Sequence, residues 1–270
     1  MAEMYKHMQE IARNNIYIGG NHVTLVICGG MVEIKDFDVD ENSIYSGVRF
    51  ALARSKNERH GELIFLENEN HSDNKRNLEL LNALRKSISN DCEDFYMCYQ
   101  PVVDAMTGKI GGMEALVRWN KEPFGEVSPA VFIPLLENDV LFFELGNWIL
   151  RETMTEGKKI IEQHPEFILN INLSYTQLER SEFRGAIVRL LQETDFPPQN
   201  LCLELTERCR LLDMNFLRNE IIFLKSFRIK IALDDFGTGF SSLNLLRELP
   251  VDLIKIDRAF IKDIQTNTAD

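Results

Sequence analysis

From Phe95 onward, short apolar runs alternate with longer stretches whose apolar residues recur every three to four positions. The runs predict strands over 95–103, 110–118, 167–173, 201–206, 229–235 and 252–257. The intervening stretches predict helices over 129–137, 142–163, 176–194, 213–226 and 241–248. Strands that alternate with helices predict an α/β fold with a parallel sheet or barrel. Only Asp104 to Lys109 joins the first two strands. That link is too short for a parallel crossover, so the pair is expected to be an antiparallel hairpin.

Upstream of Phe95 the pattern is less regular. Residues 23–28 read as a buried strand followed by a turn at Gly29-Gly30. Residues 42–56 have helical spacing, with Ile44, Val48, Ala51 and Leu52 on one face. A short strand follows over 63–66, then a polar linker over 67–77. Leu78, Leu81, Leu84 and Ile88 form the apolar stripe of a connecting helix. No internal repeat or low-complexity tract is present.

Strand parity gives the predicted sheet a polar face. Glu114, Leu116 and Arg118 share one side of their strand, and Asn170 and Asn172 share one side of theirs. Lys255 and Asp257 alternate with Ile254 and Ile256. With Glu204 and the pair Asp234-Asp235, acidic and polar residues stand at the ends of five successive strands. A parallel barrel builds an active site in this way. Two unit charges about 4 Å apart repel by roughly 4 kcal/mol at an effective dielectric of 20, so converging carboxylates need an offset. All-oxygen donors favour a hard divalent cation such as Mg²⁺ or Mn²⁺. Asp234 and Asp235 cannot both face the barrel from one regular strand. They are expected where the strand turns, with Gly237 and Gly239 giving backbone freedom and Ser241 or Ser242 capping the next helix.

Composition narrows the class. At 270 residues and 44% apolar, the chain can bury one large α/β core. The formal charge of −12 argues against a DNA- or RNA-binding face. The five cysteines form no CxxC pair, which fits a reducing cytoplasm and disfavours a zinc site. No signal peptide and no apolar run of spanning length is present, so a soluble, cytoplasmic polypeptide is expected, or the cytosolic part of a membrane-anchored parent.

Several motifs carry a resemblance. Tyr99-Gln100-Pro101 and Glu114-Ala115-Leu116-Val117-Arg118-Trp119 are similar to the motif of the EAL domain. Pro129 and Phe132-Ile133-Pro134, Asn172-Leu173-Ser174, Glu204-Leu205-Thr206-Glu207, Asp234 through Ser242 and Lys255-Ile256-Asp257-Arg258 follow in that family's order. The likeness covers residues 95–261. It implies a TIM-like (β/α) barrel with an antiparallel first strand. It also implies a phosphodiesterase that linearises cyclic di-GMP to pGpG with Mg²⁺ or Mn²⁺, two ions in all. Glu114, Asn172, Glu204, Asp234 and Asp235 are then implied metal ligands. Lys255 is implied to position water or balance charge, and Glu207 to support the following loop. Gln100, Leu116, Arg118 and Asp257 are implied to meet substrate. Other readings stay open at three of these positions: an ion pair of Arg118 with Glu114, a core amide at Asn172, and a structural partner of Asp235 or Glu204 at Lys255. Self-association through this domain is a further expectation.

Residues 1–72 resemble part of a GGDEF domain without its active-site turn, an α+β segment. Residues 73–91 then read as a linker helix and 92–270 as an EAL domain lacking its C-terminal part. About six of eight barrel strands are present, so an inactive fragment of a GGDEF–EAL protein is expected. The alternative class is a non-catalytic cyclic di-GMP receptor or interaction module.

Overall fold

The computed structural model describes residues 2–14, 17–18, 21–22, 25–34, 44–45, 47–48, 51–52, 55–56, 61–66, 71–137, 139–237 and 242–262. They fall into two compact units, Met1–Ala83 and Leu84–Asp270.

The first unit holds helix α1 (Ala2–Asn14) and an antiparallel pair, β1 (Tyr17–Ile18) with β2 (Asn21–His22). Strands β3 (Gly29–Val32) and β4 (Leu63–Leu66) pair in parallel. The apolar pattern predicts a strand at 23–28 and a turn at Gly29-Gly30, and the structure reverses this. Gly29 and Gly30 are strand residues, residues 25–28 are not, and Leu25 and Val26 are exposed. Residues 23–24 lie outside the described residues. The reason is steric. A Cβ on Gly30 would stand 2.4 Å from the backbone nitrogen of Leu52, so only glycine lets β3 lie against that stretch. Residues 44–45, 47–48, 51–52 and 55–56 are helical, and the buried positions are Gly47, Ala51 and Ser55. The buried face is therefore turned away from exposed Val48, because Ser55 is drawn inward. Its hydroxyl accepts from Gly29 N at 3.1 Å and donates to the Glu62 carbonyl at 2.5 Å.

Helix α2 (His71–Ser89) begins inside the stretch whose polarity predicts a linker. Residues 67–70 lie outside the described residues.

The second unit is built on a seven-stranded mixed sheet. Strands β5 (Phe95–Val103) and β6 (Ile110–Lys121) form the antiparallel pair, and the short strand β7 (Gly125–Val127) extends β6. Strands β8 (Ile168–Asn172), β9 (Leu201–Thr206), β10 (Lys230–Phe236) and β11 (Leu253–Ile256) continue in parallel from β6. Among the described residues β5 and β11 are the two edges. Helices α3 (Pro129–Leu136), α4 (Phe142–Ile161), α5 (Tyr175–Leu178), α6 (Phe183–Thr194), α7 (Met214–Ser226) and α8 (Ser242–Glu248) supply the connections.

The predicted helix 176–194 is two helices. Leu178 and Phe183 are both buried, and five residues of continuous helix would turn one of them to solvent. The break lets both reach the core. Strand β7 and the 3₁₀ segment Glu207–Leu211 are among the elements that had no periodic pattern to mark them. Met113, Ala115, Ile171, Leu203 and Leu233 pack with Leu150, Met154, Ile187 and Leu217 of the helices. The opposite face carries Glu114, Asn170, Asn172 and Glu204 together with the apolar Leu116, Cys202 and Ala232. No described helix is long and apolar enough to cross a membrane.

Candidate metal centre and active site

Three register steps bring the polar residues together. Glu114 lies beside Asn170, Asn172 beside Glu204, and Thr206 beside Asp234. Each crossing to the next strand advances the polar level by two residues. This is the stagger that tilts strands in a barrel. Residues far apart in sequence therefore meet at one end of the sheet.

The pair Asp234-Asp235 is accommodated by a bulge, not by the end of the strand. Between Leu233 and Phe236, β10 advances three residues while β11 advances two, from Ile254 to Ile256. Asp235 itself takes the left-handed conformation, with φ 54°, which aspartate tolerates better than most residues. Its backbone N–H donates to Asp234 Oδ1 at 2.9 Å. The aspartate adds a left-handed residue within the strand, and Gly237, with φ +108°, supplies the expected backbone freedom directly beyond it. Gly239 and Ser241 lie outside the described residues, as does the side chain of Ser242.

One oxygen from each of Glu114, Glu204 and Asp234 lies within 4.8 Å of the others. Lys255 Nζ sits among them, donating to Glu204 Oε2 at 2.5 Å, Glu114 Oε2 at 3.0 Å and Asp234 Oδ2 at 3.3 Å. Its partner is thus Glu204 and two further carboxylates. Asn172 Nδ2 donates to Glu114 Oε1 at 2.9 Å. The core amide is Asn170, buried and bonded to the Met113 carbonyl at 3.1 Å. Glu204 is only 2% exposed. Its carboxyl is raised to about 7, chiefly by burial; Lys255 opposes the rise, and the charges of Glu114 and Asp234 add to it. For Lys255, burial lowers the pKa, but the bonds to Glu204 and Glu114 and the charge of Asp234 outweigh this and hold it protonated above its usual value. Burial raises Asp235, and the charges of Asp234 and Asp257 raise it further.

A cavity of about 530 Å³ adjoins this cluster, lined in part by Leu116, Arg118, Asn172, Thr206 and Asp235. Arg118 donates to the Val117 carbonyl at 2.9 Å. Gln100 lies on edge strand β5 directly across from Glu114. Asp257 caps the 3₁₀ turn Arg258–Phe260, accepting from Ala259 N at 2.6 Å. Glu207 opens the 3₁₀ segment after β9, and its side chain lies outside the described residues. Glu137, Tyr175 and Arg208 also line the cavity, and no motif in the sequence marked them. They come from three separate connections, and only the fold brings them together.

Second-layer packing holds this end of the sheet. Ser174 and Gln177 form a capping box at α5, directly after β8. A Cβ on Gly146 would stand 1.7 Å from Gln177 Nε2. Gly146→Ala is therefore expected to expel Gln177, open the box and lower stability by about 1 kcal/mol. Thermal unfolding checks this. An unchanged midpoint would show that Gln177 finds another place.

Three converging carboxylates are a hard donor set able to hold a divalent cation. The family model described as the EAL domain matches residues 81–270. The chain belongs to the EAL domain family. The cyclic di-GMP phosphodiesterase PA2567 of Pseudomonas aeruginosa is 36% identical over 190 residues, covering 70% of this chain and 32% of that protein. The uncharacterized protein sll1895 of Synechocystis is 31% identical over 260 residues, covering 96% of this chain and 37% of that protein. The chain thus spans about a third of the length of these curated relatives. Among solved structures, the PaMucR phosphodiesterase in complex with c-di-GMP superposes with a TM-score of 0.65. It is 31% identical, and the match covers 71% of this chain and 77% of that one. The EAL enzyme Bd1971 bound to cAMP and cyclic-di-GMP gives a TM-score of 0.67 at 32% identity, covering 72% of this chain and 53% of that one.

Proposed function

We propose that the second unit hydrolyses cyclic di-GMP to linear pGpG. The observation that carries this reading is the convergence of Glu114, Glu204 and Asp234 beside a cavity lined by Arg118. In the reaction, water adds to one phosphorus, the bond to the 3′ oxygen breaks, and that oxygen leaves with a proton. Glu114, Asn172, Glu204, Asp234 and Asp235 would hold Mg²⁺ or Mn²⁺, two ions in the full assignment. A bound divalent cation supplies Lewis-acid activation of the phosphodiester.

The chain's own groups do the rest. Arg118 offers a planar guanidinium to the non-reacting phosphate oxygens. Lys255, held protonated, orients water and balances charge among the carboxylates. Gln100, Leu116 and Asp257 shape the rim that meets the nucleotide. Glu207 steadies the segment after β9.

The test is chromatographic detection of pGpG with Mg²⁺ or Mn²⁺ present and its loss in EDTA. Absence of product at every concentration of either ion overturns the reading. Lys255 lies on β11, an edge strand among the described residues, where Leu253, Ile254 and Ile256 are exposed. The same exposed edge is the feature expected to self-associate.

A second reading is a non-catalytic receptor. It is favoured by Lys255, whose ammonium touches all three carboxylates and offsets part of their charge. Binding of cyclic di-GMP that persists in EDTA without cleavage would support it. For the first unit we retain the GGDEF-like reading as a proposal. Its support is the sequence resemblance of residues 1–72, beside the parallel β3–β4 pair.

A further inference from the structure

The cavity beside the carboxylates has a wall the reaction above does not use. Glu137 follows α3, Tyr175 begins α5, and Arg208 lies in the 3₁₀ segment Glu207–Leu211. Arg208 donates to Glu137 through both terminal nitrogens, Nη1 to Oε1 at 2.8 Å and Nη2 to Oε2 at 3.0 Å. Glu137 is only 11% exposed, so the fork is anchored on a largely covered carboxylate. The guanidinium carbon lies 5.4 Å from the centre of the Tyr175 ring. The paired bonds thus set its orientation, with the ring beside it. Yet Arg208 remains 50% exposed and lines the cavity.

A guanidinium held flat in this way needs no reorganisation to receive a planar ligand. Arginine planes stack on nucleobases, and a base on an arginine face gains both stacking and cation–π attraction. The remainder of the wall is apolar, from Pro129, Ile133 and Pro134. Asn172 and Asp235 line the same cavity, so a ligand whose phosphate reaches the carboxylates can lay its base along this wall.

We propose that Arg208, clamped by Glu137 and backed by Tyr175, is the platform for one purine base of the substrate, and so a specificity-determining residue. The inference rests on the nucleotide reading of the site. It does not require that the bound nucleotide be cleaved.

The stacking account makes a distinction that charge alone does not. Lysine keeps the positive charge but has no plane and cannot form the paired bonds. The experiment is calorimetric titration of the full chain with cyclic di-GMP, in Ca²⁺ to suppress turnover, for wild type, Arg208→Ala and Arg208→Lys. Circular dichroism confirms folding of each variant. Both substitutions are expected to weaken binding about tenfold, a loss of roughly 1.4 kcal/mol. A nucleotide whose purine is replaced by a pyrimidine, cyclic di-CMP, is expected to show a smaller difference between wild type and variants. Wild-type affinity in Arg208→Lys overturns the platform, because charge then suffices. A wild-type chain that binds no cyclic di-GMP overturns it as well. Wild-type binding without cleavage when Mg²⁺ replaces Ca²⁺ overturns the hydrolytic reading and leaves the platform standing.

Discussion

Replacing Asp234 by asparagine is expected to lower hydrolysis of cyclic di-GMP at least 100-fold, a loss of about 2.7 kcal/mol in transition-state stabilisation. The substitution nearly preserves shape. The bond from the Asp235 N–H to Asp234 Oδ1 can still form to an amide oxygen, so the bulge in β10 is retained. What disappears is one of three converging negative charges. A divalent cation held by fewer anions binds more weakly and polarises the phosphate less. Product formation measured at millimolar Mg²⁺ decides the matter. Retention of more than about a tenth of the rate would limit the loss to roughly 1.4 kcal/mol and remove Asp234 from the ligand set.

Lys255→Met should act on stability before it acts on chemistry. Without a metal, Lys255 is the cation that touches all three carboxylates. Removing one partner of a fully buried pair costs about 3–5 kcal/mol. Lys255 is 33% exposed, so solvent screens part of this, and a loss of roughly 2–3 kcal/mol is expected. For a domain of this size that lowers the unfolding midpoint by about 4–12 °C in EDTA. Mg²⁺ should return part of the loss, because a ligand that binds only the folded state stabilises it by mass action. A midpoint that falls equally with and without Mg²⁺ would show that lysine and cation do not share one site. A midpoint that does not fall at all would mean that the carboxylates are relieved by protonation, led by Glu204.

Most of the second unit was legible because its strands are apolar on one face and carry polar residues on the other. The predicted strand 95–103 coincides with β5, and 201–206 with β9. The antiparallel opening pair followed from the shortness of its link. The first unit was harder to read. Gly29-Gly30 resembles a turn in any one-dimensional reading, and only the closeness of Leu52 makes it a strand. Likewise Val48 looks like a core residue by spacing, yet Ser55 holds the buried face through two backbone bonds.

The candidate site divides along the same line. Alternation along each strand determined which residues share the polar face, because side chains of an extended backbone must alternate. It could not determine which of them touch. Contact depends on register between strands, and register is fixed by packing of Met113, Ile171, Leu203 and Leu233 against helices elsewhere in the chain. The two-residue stagger at each crossing, and the extra residue in β10, were decided there. The clamp of Glu137 on Arg208 lies furthest from the sequence. Its partners are 71 positions apart, one at the end of a helix and one in a 3₁₀ segment, and a pair formed by tertiary contact leaves no trace in the local pattern of either segment.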